Sequence, residues 1–182
     1  MKKLIYISIL LLLTNSLSAQ KNWYIPGTIA KEGDVEYEVF DRRVGDKSLL
    51  HILKNPANKL YKEKDSNANM PLHMYMVDMD IFKATIKWAF APELEQLKPG
   101  DESYIQCNFY LNNKAEIVEI VFLIDTESKV LHSVSPSRYR ALENMLKTSI
   151  KFKFYESSLE RGIDKIIDYR ISGNGGFLFR FK

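Results

Sequence analysis

The chain of 182 residues contains a single cysteine, Cys107. One thiol cannot form an internal disulfide, so the stability of the fold must come from packing and not from covalent cross-links. Cys107 alternates in phase with its apolar neighbours Ile105 and Phe109. This alternation predicts a buried, unreactive thiol on a strand and argues against a catalytic nucleophile.

Motifs of enzyme active sites are also missing. The three histidines, His51, His73 and His132, do not have the spacing of zinc ligands, and the chain has no His-Glu-x-x-His or Gly-x-Ser-x-Gly motif. We predict that His51 and His132 are hydrogen-bonded structural residues. The glycine-rich stretch 173–176 leads into Phe-Leu-Phe-Arg-Phe, which predicts a hairpin turn and a strand, whereas a phosphate-binding loop leads into a helix. We therefore predict that the protein is not an enzyme and uses no cofactor.

The chain has only one long apolar run, residues 4–13, which is interrupted only by a serine. Two lysines precede this run, and small residues ending in Ala19 follow it, as in a secretory signal peptide. Ten helical residues span about 15 Å, half of the roughly 30 Å hydrocarbon core of a bilayer. We predict a signal peptide over residues 1–19, cleaved after Ala19 or one residue earlier. The mature protein would be periplasmic or secreted, with no transmembrane segment.

Neither sign of charge dominates the mature chain. The formal net charge of +3 comes from 26 basic and 23 acidic residues, and the predicted signal peptide contains two of the lysines and no acid. Removal of that peptide leaves 24 basic against 23 acidic residues. A nearly neutral surface has no long-range attraction for nucleic acid or anionic lipid. We therefore predict that nucleic acid is not a partner.

Strand patterns dominate the first part of the mature chain. Residues 35–40 alternate apolar and polar side chains, and an apolar run follows at residues 49–53. The polar stretch 62–69 has the composition of a linker. We therefore divide the mature chain into an N-terminal β-rich region, residues 20–69, and a second domain, residues 70–182.

The patterns of the second domain predict the order helix, hairpin, helix and strand. A helical period begins after Asp78, whose carboxylate is placed to cap the helix. Two alternating segments flank a predicted turn at Asn112-Asn113, and the second segment, residues 117–124, is apolar on both faces. Such a strand is typical of the centre of a sheet that is covered on both sides. Another helix begins at Ser135-Pro136. The remaining predicted strands are residues 130–134, 165–171 and 177–182.

These elements predict an α+β fold: a small, mainly antiparallel sheet with the amphipathic helix of residues 136–152 packed across one face. The hairpin, helix and closing strand, carried by residues 106–122, 139–154 and 176–182, resemble the C-terminal domain of TonB and TolA-like envelope proteins. Residues 70–182 as a whole resemble uncharacterised secreted proteins of Gram-negative gut-type bacteria. The resemblance implies a TonB C-terminal-like fold and carries over no catalytic residue.

Four aromatic residues lie outside the predicted core positions: Trp23, Tyr24, Tyr104 and Tyr110. Exposed aromatic rings suit a contact with carbohydrate or protein, because a flat ring buries a large area with few rotamers lost. We favour packing of these rings between the N-terminal region and the outer face of the hairpin, since the second strand of the hairpin is apolar on that face too.

Two functional hypotheses remain. The first is a non-enzymatic envelope or secreted module that binds an envelope or secreted protein by strand addition at a sheet edge. The predicted edge is the closing strand, whose Phe177, Phe179 and Phe181 share one face. The alternative is a periplasmic copper-binding protein, because thioether and imidazole groups bind Cu(I). Its ligands would be His73, Met74 and Met76, which lie in a stretch of ten residues that holds four of the six methionines. The competing interpretation is that these methionines fill gaps in the core.

Overall fold

The computed structural model describes residues 21–44, 47–59, 74–95, 103–112, 114–156 and 177–181. The elements within these ranges are β1 (Ile29–Glu32), β2 (Val35–Val44), β3 (Lys47–Lys54), β4 (Met74–Met76), α1 (Met79–Ala89), α2 (Ala91–Leu94), β5 (Ser103–Leu111), β6 (Ile117–Asp125), α3 (Lys129–Ser133), α4 (Pro136–Ser149), β7 (Phe152–Phe154) and β8 (Phe177–Phe181). The predicted signal peptide, the linker at 62–69 and the predicted strand at 165–171 lie outside the described residues.

Six strands form one sheet in the order β1-β2-β3-β6-β5-β8, and β4 pairs with β7 in a separate two-stranded ribbon. All six of the described pairings are antiparallel. The predicted α+β class with a mainly antiparallel sheet is thus confirmed. Strands from both predicted regions share the larger sheet, because β3 of the N-terminal region pairs with β6 of the hairpin.

The hairpin β5–β6 forms the middle of the sheet. Its register sets Cys107 opposite Phe122, and both side chains are fully buried. The burial of Cys107 confirms the prediction of a core thiol, and burial raises the pKa of that thiol well above its ordinary value. At the turn, the side-chain oxygen of Asn112 accepts bonds from the backbone N–H groups of Lys114 and Glu116. The left-handed residue of the described part of this turn is Ala115, with φ 62°.

Helices α1 and α4 pack against each other on one side of the sheet. The carboxylate of Asp78 caps α1 as predicted, accepting bonds of 3.0 Å from the N–H groups of Asp80 and Ile81. Helix α4 begins at Pro136, where the missing N–H costs nothing. The predicted apolar stripe of α4 is buried as expected, and it consists of Tyr139, Leu142, Leu146 and Ile150.

The prediction that residues 130–134 extend the sheet is wrong. These residues are largely in the short helix α3, which Ser128 caps by accepting a bond of 3.2 Å from the N–H of Leu131. The β-branched residues at both ends of the segment favour a strand, but the serine cap outweighs this weak local preference. Leu131 and Val134 are buried in the core all the same.

Buried side chains form a cluster on each face of the sheet. The larger cluster faces the helices and includes Phe122 and the apolar face of α4. The smaller cluster lies on the opposite face and consists of Leu50, Ile52, Tyr110, Val121 and Leu123, with Tyr104 packed against it. Burial on both faces of β6, which pairs with β3 and β5, confirms its predicted central position.

The aromatic residues are distributed differently from the prediction. Tyr104 and Tyr110 pack on the outer face of the hairpin as expected. Tyr24 does not, because it is buried on the helix-facing side, where its hydroxyl donates a bond of 2.9 Å to the carbonyl of Val134. Trp23 is partly buried against the same cluster. No helix in the described part of the chain is both long and apolar enough to cross a bilayer.

Candidate functional site

The first candidate site is the edge of the sheet at β8. Among the described strands β8 pairs only with β5, in a register that joins Phe181 to Ser103, Phe179 to Ile105 and Phe177 to Cys107. In the part of the chain that the structure describes, no strand follows β8 in the sheet order. The backbone groups on the far side of β8 therefore have no ladder partner among the described residues.

The methionine and histidine stretch is only partly described. His73 and the side chain of Met74 lie outside the described residues. Met76 is buried in the helix-facing cluster, and Met79 packs against that cluster, so both of these methionines fill core space. Among the described side chains, no group of three or more His, Cys, Asp or Glu residues could hold a metal ion. The copper site at His73, Met74 and Met76 stays a prediction.

The second candidate site is a pair of histidines whose contact was not predicted from the sequence. His51 lies on β3, and His132 lies on α3. Their rings are stacked, with centroids 4.9 Å apart and an angle of 7° between the planes. Only 9% of His51 and 7% of His132 is exposed to solvent.

Each ring of this pair has one nitrogen without a partner. His51 Nδ1 and His132 Nε2 are buried and accept or donate no hydrogen bond within the described residues. The sequence predicts hydrogen-bonded structural histidines, and for these two atoms the described residues offer no partner. A buried polar atom without a partner is costly, because it has lost its bond to water without gaining another.

Burial favours the neutral form of both rings. Desolvation lowers the pKa of His51, and this effect is opposed by the carboxylate of Asp41 and by the backbone at Tyr24. Desolvation, together with the neighbouring His51, lowers the pKa of His132 to about 4. His132 is therefore neutral at pH 7, and the lowered pKa of His51 favours its neutral form as well.

The stacked geometry does not suit a shared metal ion. A metal bound to an imidazole nitrogen lies near the plane of that ring, at about 2 Å from the nitrogen. The planes of His51 and His132 are nearly parallel and belong to stacked rings, so no point within bonding distance of both rings lies in both planes. The pair thus has the geometry of a packing contact between two neutral rings.

The histidine pair joins three segments of the chain. His51 is opposite Asp41 in the β2–β3 register and opposite Ile124 in the β3–β6 register. The carbonyl of His132 accepts a bond of 3.1 Å from the N–H of Trp23. The ring of Tyr24 meets the ring of His132 edge-on at 6.4 Å. Residues 21–25 and α3 therefore meet β3 at this pair.

An exposed aromatic pair lies on the β4–β7 ribbon. Tyr75 and Tyr155 are both exposed, and their ring centroids are 5.0 Å apart. Together with Phe154 and Glu156 they line a cleft of about 310 Å³. This exposed pair is not among the four aromatic residues that the sequence pattern left outside the core, and the sequence did not predict it.

Comparison with known proteins supports the fold and no particular activity. No protein family matches the sequence, and no curated protein does. The chain is similar in structure to a DUF5043 family protein from Bacteroides uniformis ATCC 8492, with a TM-score of 0.54 and 18% sequence identity over 88% of this chain and 92% of that chain.

At this identity the likeness shows a shared fold alone. It agrees with the coarser part of the predicted resemblance, since the neighbour is an uncharacterised protein of a Gram-negative gut bacterium. The TonB-like label stays a prediction.

Proposed function

We propose that the protein is a non-enzymatic binding module of the cell envelope or the secreted fraction. In this proposal, residues 1–19 direct export and are cleaved, and the mature chain acts by contact with another envelope or secreted protein. The contact is strand addition: an extended segment of the partner pairs with the outer edge of β8.

The observation that supports this proposal is the position of β8 at the end of the described sheet. A strand at a sheet edge presents backbone donors and acceptors in a row, which is a template for another chain. The register sets Phe177 and Phe179 opposite buried residues of β5, Cys107 and Ile105. The contact is assigned to the backbone of β8, the strand that carries Phe177, Phe179 and Phe181, as in the hypothesis drawn from the sequence.

Single proline substitutions along β8 test the proposal. In an antiparallel pair, alternate residues direct their N–H groups toward the neighbouring strand and away from it. Proline at a position that faces β5 removes a ladder bond and lowers stability, whereas proline at an outward position removes only the outer donor. The five variants Phe177→Pro to Phe181→Pro should therefore separate into a destabilised set and a stable set by thermal unfolding.

Partner binding is then measured on the stable set. A partner is captured from envelope extract by cross-linking to the wild-type protein, purified, and titrated by calorimetry. We expect the stable proline variants to lose at least tenfold in affinity, about 1.4 kcal/mol. Leu178→Ala and Arg180→Ala keep the backbone donor and serve as matched controls, and Lys31→Pro tests the opposite edge at β1. Unchanged affinity in every stable β8 proline variant would contradict the proposal.

A further inference from the structure

We propose that the stacked pair His51–His132 is an acid-sensitive latch, which holds α3 and residues 21–25 against β3 at neutral pH and releases them on mild acidification. The proposal does not depend on the function assigned to β8. It rests on the two buried rings, on their unpartnered nitrogens and on the hydrogen bond that joins this pair to the N-terminal segment.

The contact is stable only while both rings are neutral. Neutral imidazoles stack favourably, but a proton on either ring places a charge in a buried stack. A second proton sets two like charges on rings whose centroids are 4.9 Å apart. One nitrogen of each ring, His51 Nδ1 and His132 Nε2, has no partner among the described residues that could stabilise an imidazolium.

The charged groups around the pair do not remove this penalty. The carboxylate that acts on His51 is that of Asp41 on β2, which is also paired with Arg43 at 2.7 Å. Helix α4 contributes Tyr139, whose hydroxyl donates to the carbonyl of Leu131. The N-terminal segment contributes the ring of Tyr24, and β6 contributes the apolar Ile124. Asp41 therefore favours protonation of His51, whereas no carboxylate among the described residues favours protonation of His132.

The direction of the pH effect follows from the lowered pKa of His132 in the closed state. When the latch opens, His132 regains an ordinary pKa near 6.5 and binds a proton that the closed state excludes. The contribution of His132 to closure is therefore fully present above about pH 6.5, and it is lost as the pH falls from there toward 4. With a closed-state pKa of about 4, the opening constant rises about 20-fold between pH 7 and pH 5 from His132 alone.

Hydrogen exchange of one amide measures the latch directly. The N–H of Trp23 donates to the carbonyl of His132, so its protection reports whether residues 21–25 remain bound to α3. We expect the protection factor of this amide, corrected for intrinsic exchange, to fall about 20-fold between pH 7 and pH 5. Amides of β6 in the centre of the sheet should keep their protection over the same range.

Matched histidine variants identify the group responsible. His132→Phe keeps an aromatic ring at the stack but cannot be protonated, so the roughly 20-fold effect assigned to His132 should disappear and only the contribution of His51 should remain at Trp23. The chain has only three histidines, and His73→Phe removes the one outside the pair. We expect this control to keep the wild-type pH dependence. A loss of protection in His132→Phe equal to that of the wild type would overturn the proposal.

A further measurement covers the case in which His132→Phe does not fold. The imidazole signals of the wild-type protein are followed by NMR from pH 8 to pH 4, and His132→Gln assigns the signal of His132. We expect His132 to titrate well below pH 6. Titration of His132 near pH 6.5 in the folded protein would show that the closed pair accepts a proton freely and would contradict the latch.

Discussion

The two faces of β6 are packed in different ways. The face toward the helices carries Phe122 in a cluster that also holds three fully buried tyrosines. The opposite face carries Val121 and Leu123, which pack mainly against aliphatic residues of β3 and against Tyr110. One strand thus contributes to two cores. The core on one side is rich in aromatic rings and contains tyrosine hydroxyls, and the core on the other side is smaller and mostly aliphatic.

This difference determines how specifically each side is packed. Each buried tyrosine needs a partner for its hydroxyl, and each finds one on a different element. Tyr24 donates to the carbonyl of Val134, Tyr37 donates to the carboxylate of Glu143, and Tyr139 donates to the carbonyl of Leu131. The bond from Tyr37 to Glu143 orients α4 against β2, and the other two bonds join α4 and the N-terminal segment to α3 and the residue after it. Aliphatic packing on the other face favours burial without fixing an orientation.

The largest expected effect is the removal of the central ring of the helix-facing core. Phe122 packs against Tyr139 and Tyr37, with centroid distances of 5.4 and 6.5 Å. We expect Phe122→Ala to lower the free energy of unfolding by about 4 kcal/mol, and Leu123→Ala on the other face by about 3 kcal/mol. Urea denaturation of both variants measures the difference. An equal or larger loss in Leu123→Ala would show that the two faces do not differ as described.

A smaller effect is expected from the polar group that distinguishes the helix-facing side. Glu143 is buried, accepts a bond of 3.0 Å from Tyr37 and pairs with Lys147 at 2.7 Å. Glu143→Leu leaves the hydroxyl of Tyr37 without its acceptor, and we expect a loss of about 2 kcal/mol. Glu143→Gln keeps an acceptor and should lose about 1 kcal/mol. Thermal unfolding of both variants tests this order, and equal losses would indicate that the Tyr37 bond contributes nothing.

The smallest effect is expected at the start of β6. Val118 is on the same strand but is 40% exposed, so it belongs to neither buried cluster. We expect Val118→Thr to change the free energy of unfolding by no more than about 0.5 kcal/mol. Chemical denaturation measures this value beside that of Phe122→Ala. A loss above 1 kcal/mol would place this position in the core and would weaken the contrast between the two faces.

Much of the fold could be predicted from local patterns. The alternation of apolar residues predicted β5 and the double-sided β6, and the carboxylate of Asp78 predicted the start of α1. The same type of reasoning failed at α3, because its β-branched residues favour a strand while its Ser128 cap favours a helix. The strand preference is the weaker of the two, and the Ser128 cap and the burial of Leu131 both favour the helix.

The histidine pair could not be predicted for a different reason. Its two members are far apart in the sequence, and they meet only because β3 lies beside β6 and because the chain turns directly from β6 into α3. The first condition depends on the order of strands in the sheet, and the alternation of apolar and polar residues along a strand does not determine that order. The second condition, the turn from β6 into α3, could not be foreseen because residues 130–134 were predicted to be a strand. Among the described strands β8 is the last in the sheet order, and the sequence had predicted a closing strand in this part of the chain.

The pairing of β3 with β6 has a consequence for the order in which the chain assembles. Leu53 pairs with Phe122, roughly 70 residues later in the chain, whereas β1, β2 and β3 are close neighbours in sequence. During synthesis the first three strands leave the ribosome well before β6 does. The edge of β3 that later pairs with β6 is unpaired during this time. Two nascent chains can pair with each other at such an unpaired edge. The speed with which the β5–β6 hairpin forms and reaches β3 therefore sets how long this vulnerable interval lasts.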